Sequence, residues 1–428
     1  MNFVLEAVAQ HKAGRGGGVF SVCSAHPLVI EAAVRHALDS GSNVLIEATS
    51  NQVNQDGGYT GMKPADFAAF VLSIAAQVGL PAQRVMFGGD HLGPNSWQHL
   101  SADEAMAKSI VLVSGYVEAG FRKIHLDCSM ACAGDPAPLG DTLIARRAAQ
   151  LAVAAEAAWH RVGGEAPIYI VGSEVPVPGG AHETLSELAV TSPEAAAATL
   201  DAHRRAFEVA GLSPVWPRVV GLVVQPGVEF DHHAVFDYAP AAAAALSHHV
   251  EQYPTLVYEA HSTDYQTSAA LRALVRDHFA ILKVGPGLTF ALREALWALD
   301  RIESEWLGPA SGAGLKAVVL AAMQRDPRHW RKYYDAGTPA QVLLDQQYSL
   351  SDRIRYYWPF PEVQAALAQL FANLDATPPP LALLSQYMPA EYAAVRSGRL
   401  RLRSRDLVLY RVGGVLRQYA DACKQGEA

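Results

Sequence analysis

Eight short apolar segments, each followed by a stretch with helical periodicity, are the feature that most constrains the fold of this chain. They are VFSVCS (19–24), NVLIEAT (43–49), RVMFGG (84–89), KIHLDC (123–128), IYIVGS (168–173), RVVGLVVQ (218–225), LVYEAH (256–261) and AILKVG (280–285). Alternation of short strands with helices predicts parallel strands joined by crossover helices. Eight such units match a TIM (β/α)8 barrel. A doubly wound open sheet is the alternative.

Two helix starts are marked by capping residues. Ser101 and Glu104 have the spacing of a capping box, and so do Thr191 and Glu194 around Pro193. Both patterns predict that a crossover helix begins directly after the first residue of the pair.

The character of the chain changes near residue 303, where strand-like runs stop. We therefore expect a barrel domain over 1–302 and a mainly helical C-terminal extension over 303–428, packed on the barrel. The extension contains the basic, aromatic segments SDRIRYYW (351–358) and SGRLRLRSRDLVLYR (397–411). They predict either a cap over the barrel mouth that contacts an anionic substrate or a subunit interface, which would make the protein a homo-oligomer.

Composition excludes several classes of function. Lys and Arg total 34 against 42 Asp and Glu, so the formal net charge of -8 disfavours binding to nucleic acid or to a membrane surface. No run reaches the roughly 18 apolar residues of a transmembrane helix, and a cytoplasmic protein is expected. The four cysteines predict reduced thiols. GGYTGMK (57–63) has the wrong spacing for a phosphate loop, so no ATP site is recognised.

Polar side chains gather where the predicted strands end. Because the active site of a TIM barrel lies at the carboxyl ends of its strands, these residues are the candidates for chemistry. They are Glu47, Asp90, His91, Asp127, Glu174, Gln225, Glu259, His261 and Lys283.

Three of these residues form a possible metal site. His91, Glu174 and His261 come from three different strand ends, and two imidazoles with one carboxylate suit a divalent ion such as zinc or manganese. Each histidine alone fits a hydrogen-bonded barrel residue better than a metal ligand, but the combination with Glu174 favours metal binding. Such an ion would polarise a substrate carbonyl as a Lewis acid.

Asp90 precedes His91 and is the predicted general base, with a turn or helix-cap role as its alternative. Asp127 and Glu47 are the candidates for a second acid or base, or for hydroxyl-binding groups. Either could instead satisfy barrel backbone. Lys283, near the end of the eighth strand, leaves a Schiff-base mechanism as a weaker option.

The loops HSTDYQT (261–267) and VGPGLTFA (284–291) follow the last two predicted strands. This is the usual phosphate-binding position of a barrel, and ordinary loop chemistry is the alternative. The predicted phosphate contacts are Ser262, Thr263, Gly285 and Gly287.

Several long motifs together resemble the GatZ/KbaZ family, which is described as the non-catalytic subunit of class II tagatose-1,6-bisphosphate aldolase and often labelled tagatose-6-phosphate kinase. The motifs are GGDHLGPN, KIHLDCSM, GSEVPVPGG, YEAHSTDYQ, LKVGPGLTFALREALWAL and SDRIRYYW. The resemblance implies a barrel of the class II aldolase type, a place in galactitol or tagatose catabolism, and kinship with epimerases of ketose phosphates and hexuronates. It implies a base at Asp90, metal ligands at His91 and His261, and a carboxylate near the metal at Glu174.

The sequence departs from the aldolases at two places. Gln225 stands where a further metal-binding histidine is expected, although its carbonyl oxygen could still bind a metal, and HST replaces a glycine-rich stretch. We therefore expect an enzyme that epimerises a ketose or ketose phosphate, such as tagatose 6-phosphate and fructose 6-phosphate, by metal-dependent retro-aldol and aldol steps. The alternatives are an accessory subunit that stabilises a class II aldolase catalytic subunit and, third, a sugar-phosphate kinase.

Overall fold

Eight parallel strands close into a barrel in the computed structural model, which describes residues 2–136, 138–172, 188–334 and 337–424. The barrel strands are β1 (Val19–Val22), β2 (Val44–Thr49), β3 (Val85–Leu92), β4 (Lys123–Leu126), β5 (Ile168–Val171), β6 (Val219–Val224), β9 (Val257–Ala260) and β10 (Ile281–Val284). An antiparallel pair, β7 (Glu229–Phe230) and β8 (Val235–Phe236), follows β6. Because β1 pairs with β10, the sheet is closed, and the TIM barrel prediction is confirmed over an open sheet.

Helices surround the barrel and continue beyond it. Those that accompany the strands are α1 (Phe3–Gln10), α2 (Pro27–Ser40), α3 (Pro64–Val78), α4 (Ala102–Glu118), α5 (Asp141–Val162), α6 (Pro193–Val209), α7 (Pro240–His249), α8 (Ser268–Arg276) and α9 (Pro286–Leu307). Those of the C-terminal extension are α10 (Leu315–Arg325), α11 (Pro339–Tyr348), α12 (Pro361–Ala376), α13 (Leu381–Tyr387), α14 (Pro389–Arg396) and α15 (Ser404–Cys423). Since α9 continues to Leu307, a division at residue 302 would fall inside this helix.

The predicted capping box at the start of α4 is present. The Ser101 hydroxyl accepts from the N–H of Glu104, and the Glu104 carboxylate accepts from the N–H of Ser101. The cap of α6 is shifted by one residue. Ser192 accepts from the N–H of Ala195, whereas the Thr191 hydroxyl accepts from the N–H of Gln225. Thr191 thus ties the start of α6 to the end of β6.

The interior of the barrel changes from apolar to polar along its axis. Apolar side chains from the strands pack with Val4 and Val8 of α1 and fill one end; they include Val19, Leu45, Met86, Ile168, Ile170, Val223, Val257 and Ile281. Farther along the strands the interior carries charged residues instead. This change directs the ionisable side chains to the end where the strands finish.

The C-terminal extension packs directly on the barrel. Helix α15 lies against α2, α8 and α9, and Tyr419 donates a hydrogen bond to the carbonyl of Thr263 at 2.7 Å. A short 3-10 turn, Arg353–Tyr356, brings the extension to the barrel mouth. Among the residues described, no helix has the length and apolar character needed to cross a membrane.

Candidate active site

Three buried histidines face one another at the carboxyl ends of the strands. The ring centres of His91 and His261 are 4.9 Å apart, those of His91 and His125 5.0 Å, and those of His125 and His261 5.3 Å. Together with Asp90, each offers a ligand atom within 4.8 Å of the others, so this group could hold a metal ion. His125 lies inside an apolar run and was not predicted. Its position two residues from both Lys123 and Asp127 was the available signal, because strand residues two apart share a face.

The backbone of β3 explains how Asp90 and His91 reach the same cavity. The strand continues to Leu92, so both residues lie within it and not after it as predicted. Successive strand residues normally point to opposite faces. His91, however, adopts a φ of 48°, in the left-handed region that is strained for a residue other than glycine. Both side chains consequently line the cavity.

Gly93 brings the end of β3 against the end of β4. A Cβ atom at this position would lie 1.7 Å from the carbonyl oxygen of Asp127, so only glycine fits. This close approach places His91 within reach of the Asp127 side chain.

Two of the histidines each donate a ring N–H to a buried carboxylate. His91 donates through Nδ1 to Asp127 Oδ2 at 2.7 Å, and His261 donates through Nε2 to Glu259 Oε1 at 2.8 Å. Such bonds fix the ring orientation and leave His91 Nε2 and His261 Nδ1 available as ligand atoms. The other oxygen of Asp127 accepts from the hydroxyl and N–H of Ser129. Asp127 therefore supports His91, whereas the sequence suggested a second acid or base.

Asp90 is an ionised carboxylate at the cavity surface. Its Oδ1 lies 3.0 Å from Lys283 Nζ and 3.0 Å from His125 Nδ1. Burial opposes ionisation, but Lys283 and His91 outweigh it and hold the pKa of Asp90 well below its usual range. The group is therefore deprotonated at neutral pH, as a general base must be.

A network of buried charges supports this cluster from below. Lys123 Nζ lies 2.7 Å from Glu47 Oε1 and 2.6 Å from Glu259 Oε2, and Lys283 also contacts Glu47. Gly88 makes room for the Glu47 side chain, because a Cβ there would lie 2.6 Å from Glu47 Cγ. Glu47 is fully buried and is not among the residues that line the cavity, which separates it from any bound substrate.

Lys283 is poorly suited to form a Schiff base. Burial lowers its pKa, but Asp90, Cys23 and Glu47 outweigh burial and raise the pKa well above its usual value. The amine is thus a protonated ammonium, which is not nucleophilic. Its ion pairs give it the role of a countercharge to Asp90.

The charges of the cluster suit a cation. Four carboxylates, Glu47, Asp90, Asp127 and Glu259, face two ammonium groups, Lys123 and Lys283. Excess buried negative charge is costly unless a cation compensates it. Burial lowers the pKa of His91, but Asp90 and Asp127 outweigh burial and raise it, so either a proton on His91 or a bound metal ion can supply positive charge. Imidazole nitrogens and a carboxylate oxygen are ligands that zinc and manganese accept. The residues present therefore fit a divalent metal ion.

A cavity of about 330 Å³ opens above the histidines. Part of its wall comes from the C-terminal extension, where Arg355 and Tyr356 lie beside Tyr59. The Tyr356 ring packs 4.5 Å from the Arg353 guanidinium, and its hydroxyl lies 3.3 Å from Arg355 Nη2. Burial opposes ionisation of this phenol, but Arg353 and Arg355 outweigh burial and lower the pKa of Tyr356 to about 8.

The expected phosphate site already holds an internal carboxylate. The N–H groups of Gly285 and Gly287, at the start of α9, donate to Asp264 Oδ1 at 2.9 and 2.7 Å. Burial raises the pKa of Asp264 to about 6. Ser262 lines the cavity, whereas the buried Thr263 donates its hydroxyl to the carbonyl of Lys283. An external phosphate would have to displace Asp264, a residue that the sequence did not single out.

Two predicted metal ligands remain. Glu174 lies outside the described residues. The side-chain amide oxygen of Gln225, Oε1, accepts from the N–H groups of Gly227 and Val228, at 2.8 and 3.0 Å. In this conformation the atom that would bind a metal caps its own loop.

Comparison with known proteins identifies the family. The family described as D-tagatose-1,6-bisphosphate aldolase subunit GatZ/KbaZ-like matches residues 4–424. The crystal structure of a probable tagatose 6 phosphate kinase from Sinorhizobium meliloti 1021 is 51% identical, with a TM-score of 0.88 over 95% of this chain and 100% of that chain.

Two more distant structures have TM-scores below 0.5 and carry no inference. The fructuronate-tagaturonate epimerase UxaE from Cohnella laeviribosi is 11% identical, covering 96% of this chain and 82% of that chain with a TM-score of 0.49. The fructose-bisphosphate aldolase from Campylobacter jejuni is 14% identical, covering 84% of this chain and 93% of that chain with a TM-score of 0.44. The match over residues 4–424 is decisive instead: the chain belongs to the GatZ/KbaZ-like family of tagatose-bisphosphate aldolase subunits, a family of carbohydrate metabolism.

Proposed function

We propose that the protein is a metal-dependent epimerase that interconverts ketoses or ketose phosphates, such as tagatose 6-phosphate and fructose 6-phosphate, by retro-aldol and aldol steps. The observation that carries this proposal is the set of three buried imidazoles beside the ionised Asp90, at the surface of a cavity. A protein that served only as a scaffold would have no need for this costly buried charge.

His91 Nε2 and His261 Nδ1 would hold the divalent ion, for which zinc and manganese are the candidates. When bound, the ion supplies a Lewis acid that polarises the substrate ketone. Asp127 and Glu259 keep the two imidazoles in the orientation that this binding requires.

Asp90 serves as the general base of the reaction. It takes the proton from the C4 hydroxyl, C4 becomes an aldehyde carbon, and the electron pair of the C3–C4 bond remains on the C3 fragment. The aldehyde then turns, the bond forms again on its other face, and a proton returns to the C4 oxygen. Lys283, 3.0 Å from Asp90, keeps the carboxylate ionised between turnovers.

Inversion requires a proton donor on the second face of the substrate. Glu47 does not line the cavity, and both oxygens of Asp127 have partners, so neither candidate from the sequence suits this role. Tyr356 lines the cavity, and its pKa of about 8 allows it to give and regain a proton near neutral pH. We assign it the role of second acid.

The test is conversion of tagatose 6-phosphate, fructose 6-phosphate and tagaturonate by protein loaded with zinc or manganese, with and without chelator. Epimerisation that the chelator abolishes is expected. Asp90→Asn should lower turnover at least about 10³-fold, because it removes the base. Asp201→Asn, at an exposed position of α6, is the matched control. Full activity of Asp90→Asn would remove this residue from the mechanism, and ATP consumption would favour the kinase.

A second candidate, the accessory subunit, is favoured by exposed aliphatic side chains on the outer helices. Val111, Val153 and Val209, on α4, α5 and α6, are 54%, 43% and 90% exposed. An accessory protein should form a complex with a class II aldolase catalytic subunit and raise its activity equally as wild type and as Asp90→Asn. Absence of a complex in sedimentation would exclude this function.

A further inference from the structure

Lys283 and Arg355 are cations of the cavity wall, and they differ in their hydrogen-bond and ion-pair partners. Arg355 Nη1 donates to the main-chain carbonyls of Ser351 and Asp352, and its Nη2 lies 3.3 Å from the Tyr356 hydroxyl. Over the described part of the chain, no carboxylate lies within ion-pair distance of this half-buried guanidinium. Lys283, by contrast, has three carboxylate partners. Arg355 therefore presents to the cavity a positive charge that has no direct ion pair among the described residues.

The nearest carboxylate in the sequence, Asp352, makes no direct ion pair with Arg355. The carboxylate of Asp352 is directed at α9, where its Oδ2 accepts from the Thr289 hydroxyl at 2.6 Å and its Oδ1 lies 3.8 Å from Arg293. Arg353 stacks on Tyr333 and donates to the carbonyl of His329, so it adds positive charge on the same turn. A half-buried positive region of this kind stabilises a bound anion.

The predicted phosphate site at the start of α9 is already occupied by the Asp264 carboxylate. The helix N-terminus at α9 directs the N–H groups of Gly285 and Gly287 to Asp264, as described above. An additional anion at that point would meet the Asp264 carboxylate. Among the cations of the described cavity wall, Arg355 is thus the one without a carboxylate partner, and a guanidinium has five N–H donors in a planar fork.

We propose that Arg355 binds the anionic group, a phosphate or a carboxylate, at the end of the sugar distant from the reacting carbonyl, and so selects acidic over neutral sugars. The inference rests on the proposed function for the nature of the sugar. The C-terminal extension then contributes specificity, while the barrel strands contribute the chemistry.

The experiment measures binding and not turnover. Zinc-loaded protein is titrated calorimetrically with tagatose 6-phosphate, tagaturonate and neutral tagatose, as wild type, Arg355→Met and Arg355→Lys. Arg331→Met is the matched control, since Arg331 is an exposed arginine of the extension that does not line the cavity. Loss of a charge-assisted hydrogen-bonded pair should weaken binding of the acidic sugar roughly 10- to 100-fold in Arg355→Met, and less in Arg355→Lys.

Binding of tagatose should change less than about twofold in every variant, because the neutral sugar has no group for the guanidinium to pair with. The acidic sugar with the larger loss identifies phosphate or carboxylate as the bound group. An equal loss for tagatose and the acidic sugars, no loss for either, or no binding of an acidic sugar by wild type would overturn the inference. If circular dichroism and the melting temperature show that Arg355→Met does not fold, the comparison is made with Arg355→Lys instead.

The two proposals can fail separately. Arg355-dependent binding of an acidic sugar without any epimerisation would contradict the proposed function and support this inference. Epimerisation together with sugar binding that does not depend on Arg355 would support the proposed function and contradict this inference.

Discussion

The cavity has two functional parts of different origin, the histidine cluster at the strand ends and the arginine–tyrosine wall of the extension. In the cluster every carboxylate has an internal partner, and the partners lie on β3, β4 and β10 or directly after β9. In the wall, Arg355 has only neutral partners among the described residues, and they come from its own turn. From this difference we expect the cluster to be needed for stability as well as for the proposed chemistry, and the wall to affect mainly sugar binding.

The largest effect that would test this difference is on stability. Replacing Lys123 by Met removes the closer of the two ammonium groups that Glu259 contacts and leaves Glu47 and Glu259 to share Lys283. Breaking a buried ion pair should lower the free energy of unfolding by about 3–5 kcal/mol, measured by urea denaturation. Arg355→Met should cost less than about 1 kcal/mol in the same assay. Similar losses in both variants would contradict the comparison.

The next effect concerns metal affinity. Asp127→Asn replaces one of two acceptor oxygens by an NH2 group, so the side chain can no longer accept from both His91 and Ser129. Such changes weaken metal binding roughly 10- to 100-fold. Competition with a chromophoric zinc chelator measures the affinity. Asp135→Asn, in the same loop but paired with Arg147, is the control and should leave zinc affinity unchanged. Equal affinities for Asp127→Asn and wild type would separate Asp127 from the site.

A smaller effect is expected on the pH dependence of sugar binding at the arginine–tyrosine wall. Because the pKa of Tyr356 is lowered to about 8, its phenolate forms as the pH rises through that value and competes for Arg355. Affinity of wild type for the acidic sugar should therefore fall up to about tenfold between about pH 7 and about pH 9. Tyr356→Phe should abolish this fall while binding at about pH 7 persists. Calorimetry at both pH values measures it, and an unchanged fall would exclude Tyr356 as its cause.

The smallest effect lies outside both parts. Ser192→Ala removes the cap of α6 and should cost about 1 kcal/mol of stability with zinc and sugar binding unchanged. Thermal unfolding and the two binding assays test this expectation. Altered zinc binding would show that the histidine cluster is sensitive to the outer helices.

The barrel could be predicted because apolar runs of strand length alternate with helical periodicity over most of the chain. The true end of β3 could not, since GGDHL lacks an apolar pattern although its backbone pairs with β2 as far as Asp90 and with β4 at Leu92. His125 was missed inside an apolar run, and the supporting role of Asp127 depends on the close approach at Gly93. For the wall, the basic and aromatic composition of 351–358 suggested an anion contact, but only the packing of the extension identifies Arg355 as the candidate.

The left-handed backbone of His91 has a consequence for protein engineering. A regular strand delivers only every second residue to one side, so the adjacent pair Asp90 and His91 cannot be transplanted by exchanging side chains on another barrel. The graft would have to carry the bend at residue 91 and the glycine at residue 93. A transplant of this site should therefore include the main-chain segment 90–93. A design that copies only the two side chains should direct one of them outside the barrel.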